Sequence, residues 1–351
     1  MSQHATSRLS VLDEVKAQWA AVVRRYQTPD NYSIAQVLTT LLPYVALWVA
    51  MFAALKYVGL WLSLLLSIPA GLFAVRLFII FHDCGHGSFF SNKQANNIVG
   101  FWMGVLTMTP SHHWWHSHAM HHASAADLDR RGMGDVWTLT VDEYLALPLM
   151  KRIGYRLYRS YPVMFLIAPM WLFFVSHRFA DKGAGKRERN SVIFTNLALV
   201  GLYGGLALVL GWQNVLLVLV PTMWVAAIVG VWLFYVQHQF EDVYWARHEE
   251  WDYVAAAMHG SSFLKLPRVL QWFSGNIGFH HIHHLSPRIP NYLLEKAWRE
   301  NPIFQIEPLT FAQAIQAMGY RLWDERREKL VGFGYIKVYR EKMAMQAGTT
   351  A

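Results

Sequence analysis

The sequence predicts an all-α, polytopic membrane protein: about four transmembrane helices paired as two hairpins, one or two interfacial helices, and a cytosolic helical cap. Three observations carry this. Of its 351 residues, 54% are hydrophobic, with 16 Trp, 16 Tyr and 20 Phe, too apolar for an ordinary soluble domain. Four stretches, roughly 33–57, 58–81, 191–211 and 214–236, reach the about 20 apolar residues that cross a bilayer core as a helix. Lys and Arg, which give a net charge of +8, lie mainly between those stretches. They set topology and do not form a nucleic-acid face, because no basic run alternates with aromatics in a soluble context.

Taken in order, residues 1–32 form an amphipathic N-terminal segment and 33–351 the membrane domain. The first ten residues have no apolar core followed by a small-residue cleavage site, so no cleavable secretory signal is expected there. Within 10–28, Leu12, Val15, Trp19, Val22, Val23 and Tyr26 recur at helical spacing opposite Asp13, Lys16, Arg24 and Arg25. Such a helix lies on the membrane surface or packs on the protein's own cytosolic face. The turn inside the first hairpin carries Lys56 and that inside the second carries no charge, whereas 123–190 is rich in Arg and Lys. Both termini and the long connections, 82–190 and 239–351, are therefore expected on the cytoplasmic side. Two shorter apolar stretches, 98–110 and 161–176, fall below spanning length, and the second holds Pro162 and Pro169. Each reads as interfacial or re-entrant.

Histidine carries the chemistry. Twelve of the 17 histidines crowd into three windows: His82 and His86; His112, His113, His116, His118, His121 and His122; His280, His281, His283 and His284. His82 and His86 are four apart, and His118, His121, His122 and His280, His283, His284 share the spacing i, i+3, i+4, so each set is one helical face of nitrogen donors. His238 ends the fourth apolar stretch as His82 follows the second, so all can meet on one plane. Eight such residues plus His238 exceed the ligands of one zinc ion and suit two metal ions. Imidazole serves Zn, Fe, Cu and Ni alike, so spacing leaves the metal open. His112, His113, His116 and His281 lie off these faces and are not expected to be ligands. The single cysteine, Cys84, excludes an intramolecular disulfide and thiolate clusters, and is read as packing.

The boxes His-Asp-Cys-Gly-His at 82–86, His-Ala-Met-His-His at 118–122 and His-His-Ile-His-His at 280–284 resemble the pattern of integral-membrane fatty acid desaturases. Likeness extends over about 35–330 through GDVWTLTVDEY (134–144), VWLFYVQHQFEDVYW (231–245) and LPRVLQWFSGNIGFHHIHHLSPRIPNY (266–292). These are similar to bacterial acyl-lipid desaturases, most closely the branch with the Δ5 phospholipid desaturase of bacilli. The resemblance implies an oxidoreductase of the bacterial inner membrane. It implies a di-iron centre, O2 as co-substrate, a membrane phospholipid acyl chain as substrate, and a separate electron donor such as ferredoxin or flavodoxin. Carried over by motif, His82, His86, His118, His121, His122, His280, His283 and His284 are ligands and His238 is the ninth. Asp83, Glu241, Asp242 and Asn276 are candidates to hold the ligands from behind. Leu264 stands where relatives often carry an aromatic residue, which bears on the substrate path.

Two other functions fit the same residues. A membrane hydroxylase or ketolase shares the ligand set but inserts oxygen, and a non-catalytic metal-binding lipid sensor binds metal without consuming oxygen. No cysteine cluster or Gly-rich dinucleotide fingerprint marks a fused redox domain, so electrons must come from another protein.

Overall fold

A computed structural model describes residues 3–26, 30–132 and 134–348. Helix α1 (Gln3–Val23) precedes a first long hairpin, α2 (Asp30–Tyr57) and α3 (Leu60–His86). Two 14-residue helices follow, α4 (Lys93–Leu106) and α5 (Ser111–Ser124), then α6 (Val141–Ala146) and α7 (Leu149–Tyr158). A π-helical turn at Pro162–Ile167 leads into α8 (Ala168–Phe174) and the second long hairpin, α9 (Lys186–Leu210) and α10 (Trp212–His238). The cap continues through α11 (Tyr253–His259), α12 (Arg268–Phe273), α13 (His280–Leu285), α14 (Asn291–Glu300), α15 (Phe311–Ala317) and α16 (Tyr335–Gly348).

Four helices, α2, α3, α9 and α10, are long and apolar enough to cross a membrane, as the sequence predicts. Leu38, Leu42, Val45 and Val49 of α2 and Ile193, Leu197 and Val200 of α9 remain exposed, an arrangement that only lipid tolerates at this density. Small residues let the spans approach: a Cβ on Gly71 of α3 would sit 2.5 Å from the Val225 Cβ of α10. Helix α3 therefore packs directly on α10 as well as on α2. It also continues past the predicted end at 81, taking His82 and His86 into the same regular helix.

The two short apolar stretches do not add spans. α4 and the turn after it connect α3 to α5, both of which carry box histidines, so the chain leaves and returns on one face. Helix α7 and the segment Pro162–Arg178 are bent by 52°. The near end is tied to the cap by Tyr155, whose hydroxyl donates to the Arg321 carbonyl at 2.6 Å, and the far end by the His113–Asp181 pair at 3.1 Å. The segment is thus re-entrant.

The cap departs from the all-α expectation in one detail. β1 (Leu139–Thr140) pairs in parallel with β2 (Leu322–Asp324), which pairs antiparallel with β3 (Lys329–Val331). The N-terminal helix packs on the cap: Val15, Val22 and Tyr26 are buried in a cluster with Val254, Met258 and Phe304, and the Tyr26 hydroxyl donates to Glu300 at 2.9 Å. Of the two placements open to it, α1 takes the protein's own face; positions 27 and 28 lie outside the described residues. Arg76, buried within α3, ties span to cap by stacking its guanidinium 4.0 Å over the Trp272 ring and donating to the Trp272 carbonyl.

Candidate metal centre

Four helices deliver the nine imidazoles. α3 contributes His82 and His86, α5 His118, His121 and His122, α13 His280, His283 and His284, and α10 ends on His238. Their ring nitrogens gather into two groups. His82, His86, His118, His122 and His283 each place one nitrogen within 4.8 Å of the others, and His121, His238 and His284 do the same. His280 joins the second group through an Nε2–Nε2 contact of 2.9 Å with His238. The groups adjoin, since His122 stacks on His284 at 4.1 Å.

The protonation pattern tests whether these residues suit metal. His82 Nδ1 lies 2.8 Å from Asp83 Oδ1, His121 Nδ1 2.5 Å from Asp135 Oδ1, and His238 Nδ1 3.2 Å from the Gly260 carbonyl. Each acceptor fixes the proton on Nδ1 and leaves Nε2 of a neutral ring as a bare lone pair. His121 Nε2 and His238 Nε2 nevertheless face each other at 3.2 Å, with no proton between them to make a hydrogen bond. Short Nε2–Nε2 approaches also link His82 to His118 (2.9 Å), His118 to His122 (3.1 Å) and His122 to His283 (3.0 Å). Nitrogens about 2.1 Å from a shared metal stand about 3 Å apart along the edges of its coordination shell. The observed spacings match, and a cation among the lone pairs turns repulsion into bonding.

Burial works in the same direction. His118, His122, His280, His283 and His284 have pKa values held well below the usual imidazole range, first by burial and then by their neighbouring histidines. They stay neutral, the form that binds metal. His86 and His284 each keep a buried Nε2 without a hydrogen-bond partner, as expected of nitrogens reserved for a ligand.

Among the four residues expected behind the ligands, only Asp83 touches one. It is buried and accepts from the Asn291 backbone and side chain at 2.7 and 2.8 Å while holding His82. Glu241 and Asp242 point elsewhere. α10 stops at His238 and the chain turns to the surface, where Glu241 accepts from Tyr320 (3.0 Å) and Asp242 pairs with Lys329 (2.8 Å). Asn276 shares no helical face with His280, because α13 begins at His280 and Asn276 sits in the preceding turn at φ 57. Its amide donates to the Asn291 carbonyl at 3.2 Å. Leu264 is buried against the cap, bridged to Leu309, and is absent from the cavity wall described next.

Sequence reasoning missed Asp135 and the Gly260 carbonyl. Asp135 lies inside the string 134–144, after Gly134, whose φ of 72 only glycine adopts freely and whose Cβ would approach the His121 Cβ to 3.1 Å. That glycine was the available signal. His281, off the ligand faces as expected, turns Nε2 to the Phe304 carbonyl at 2.8 Å, and burial lowers its pKa to about 4. His113 pairs with Asp181 and His112 meets Trp115 edge-on at 5.0 Å. Cys84 packs against α4, its Cβ 2.9 Å from where a Cβ on Gly100 would stand.

An apolar cavity of about 520 Å³ reaches this centre. Met223, Ala226, Gly230 and Phe234 line it along one face of α10, and His82, His118, His280 and Asp135 form part of its wall. Eleven residues of helix rise roughly 16 Å, so the cavity extends well down the span.

The family model described as fatty acid desaturase matches residues 59–305. A fatty acid desaturase of Bacillus subtilis is 47% identical over 312 residues, 89% of this chain and 88% of that one. An sn-1 acyl-lipid omega-3 desaturase (ferredoxin) of Nostoc is 29% identical, and an sn-1 oleoyl-lipid 12-desaturase of Synechocystis 27%. Each of these two aligns over 63% of this chain and 62% of its own length.

Proposed function

The chain belongs to the fatty acid desaturase family, and from that premise we propose that it is an oxygen-dependent acyl-lipid desaturase placing a cis double bond in membrane-lipid acyl chains. The observation that carries this is the meeting of nine converging imidazoles with the wall of an apolar cavity. His82, His86, His118, His122 and His283 would hold one iron ion, and His121, His238, His280 and His284 the other. Bound iron supplies the dioxygen-derived oxidant that an unactivated methylene C–H bond requires, which no protein side chain provides.

The chain's own residues do the rest. The α10 face and its partners Ala74, Phe78 and Ile79 of α3 strip water from an alkyl chain and hold it in line, where orientation contributes most to rate. Because His82 and His118 belong to one group and His280 to the other, a chain lying in the cavity passes both. Asp83 and Asp135 keep protons on the Nδ1 atoms of His82 and His121 and so aim Nε2 inward. Electrons come from a separate carrier, for which the Nostoc relative's name offers ferredoxin. The basic connections between the spans support an inner bacterial membrane with the centre and both termini cytoplasmic.

Expression in a host lacking unsaturated lipids, followed by mass analysis of its fatty acids, tests the reading. Products lighter by two hydrogens are expected, with one double-bond position dominant. Products heavier by one oxygen would instead make the protein a hydroxylase, and unaltered lipids with bound metal a sensor.

A further inference from the structure

The cavity has a second polar region away from the box histidines, in the re-entrant segment after α8. Ser176, His177 and Asp181 line it there. His177 is buried at 6% exposure, meets Phe173 edge-on at 5.2 Å and hydrogen-bonds the Met108 backbone. Its Nδ1 has no partner. Burial first, then the charge of Arg178, pushes its pKa down to about 3, so the ring is neutral. A neutral imidazole that donates from one nitrogen presents a lone pair at the other.

The surroundings say what that lone pair awaits. Arg178 donates from its two terminal nitrogens to Asn196 Oδ1 at 2.9 Å and to the Met108 carbonyl; its Nε is buried without a partner, but the residue is not part of the cavity wall. Met108, in the left-handed region at φ 56, turns that carbonyl toward both side chains. Farther out, Asp181 pairs with His113 at 3.1 Å, and with its side chain 81% exposed the cavity reaches the surface there. The His177 lone pair and the Asp181 carboxylate are acceptors, and the Ser176 hydroxyl beside them can donate or accept. A buried acceptor left unmatched is costly, so the complementary ligand brings a donor.

We propose that His177 and Asp181 form a headgroup subsite for the primary ammonium or hydroxyl of a glycerophospholipid whose acyl chain runs along the cavity to the box histidines. This rests on the acyl-lipid reading above. It explains why polar groups line the cavity at this end, away from the box histidines, and it makes headgroup identity a property read by the protein.

The test uses the purified full chain with an equal mixture of phosphatidylethanolamine, phosphatidylglycerol and phosphatidylcholine carrying identical acyl chains. Lipid retained by the protein is measured by native mass spectrometry, without turnover. In parallel, each lipid class is analysed for double bonds after reaction in nanodiscs with a reductase. Phosphatidylcholine has no donor in its head, so the other two should be favoured about fivefold or more, the effect of one hydrogen bond. His177→Phe should bring the ratio near one and His177→Asn should restore part of it. Asp181→Asn, a change at an exposed side chain, should weaken the preference for the ammonium lipid and spare that for the hydroxyl lipid. Equal retention of all three by the wild-type protein overturns the subsite, as does an undiminished bias in His177→Phe. If His177→Phe does not fold, a bias untouched by Asp181→Asn overturns the assignment to these two residues. Biased retention without any double bond leaves the subsite standing and sinks the desaturase reading.

Discussion

The two histidine groups share α5 and α13 but differ in their third source of ligands and in what stands behind them. The five-imidazole group takes His82 and His86 from one uninterrupted turn of α3, and its backing carboxylate, Asp83, is the next residue along that helix. The other group takes His238 from the last position of α10, and it is backed by the Asp135 carboxylate and the Gly260 carbonyl, both from distant loops. One half is therefore built by local helical geometry and the other by tertiary contacts. His86 is the one partly buried member of the local half.

Removing a ligand from each half is the strongest way to break this comparison. His283→Ala should empty the five-imidazole group and His121→Ala the other, each lowering metal analysis from two ions per chain to one. Activity should fall beyond the about 100-fold that loss of an outer partner costs. Full metal content in His121→Ala would show that the second group is not a site of its own.

A smaller effect separates the backing residues. Asp135→Asn and Asp83→Asn should each reduce metal affinity or activity by about 10–100-fold, with Asp135→Asn weakening only the His121 group in a metal titration. Asp242→Asn should behave as wild type in the same titration, since its carboxylate pairs with Lys329 on the cap surface. Metal loss in that variant would contradict the placement of the 239–242 turn.

Mild acid should produce the smallest effect and act on both halves. The pKa values of His118, His122, His280, His283 and His284 are depressed by burial, so the folded chain binds fewer protons than the unfolded chain. Stability is then fully present above the ordinary imidazole value of about 6.5 and is lost progressively as pH falls below it. Thermal unfolding of detergent-solubilised protein, scanned from about pH 8 to about pH 5, should show a Tm that is flat and then falls.

Much of this was legible in periodicity. His82 and His86, and the two triplets at 118–122 and 280–284, show their shared faces in spacing alone, because a helix repeats every 3.6 residues whatever surrounds it. The four long spans are equally plain, since the bilayer imposes length and apolarity on any helix that crosses it. Glu241, Asp242 and Asn276 take partners other than the box histidines for the complementary reason. Nearness in sequence to a ligand predicts nearness in space only while the helix continues, and α10 ends at His238 while α13 starts at His280.

By itself, then, the sequence determined the spans, the three histidine faces and the nitrogen-rich chemistry of the centre, all consequences of local repeat and composition. Tertiary structure alone decided how nine rings divide into two groups. It also put Asp135 behind His121, docked α1 on the cap, and brought His177 into the wall of the same cavity as His118. These depend on where chain segments far apart in sequence come to rest, and that is settled by packing between elements, to which the periodicity of each element is blind.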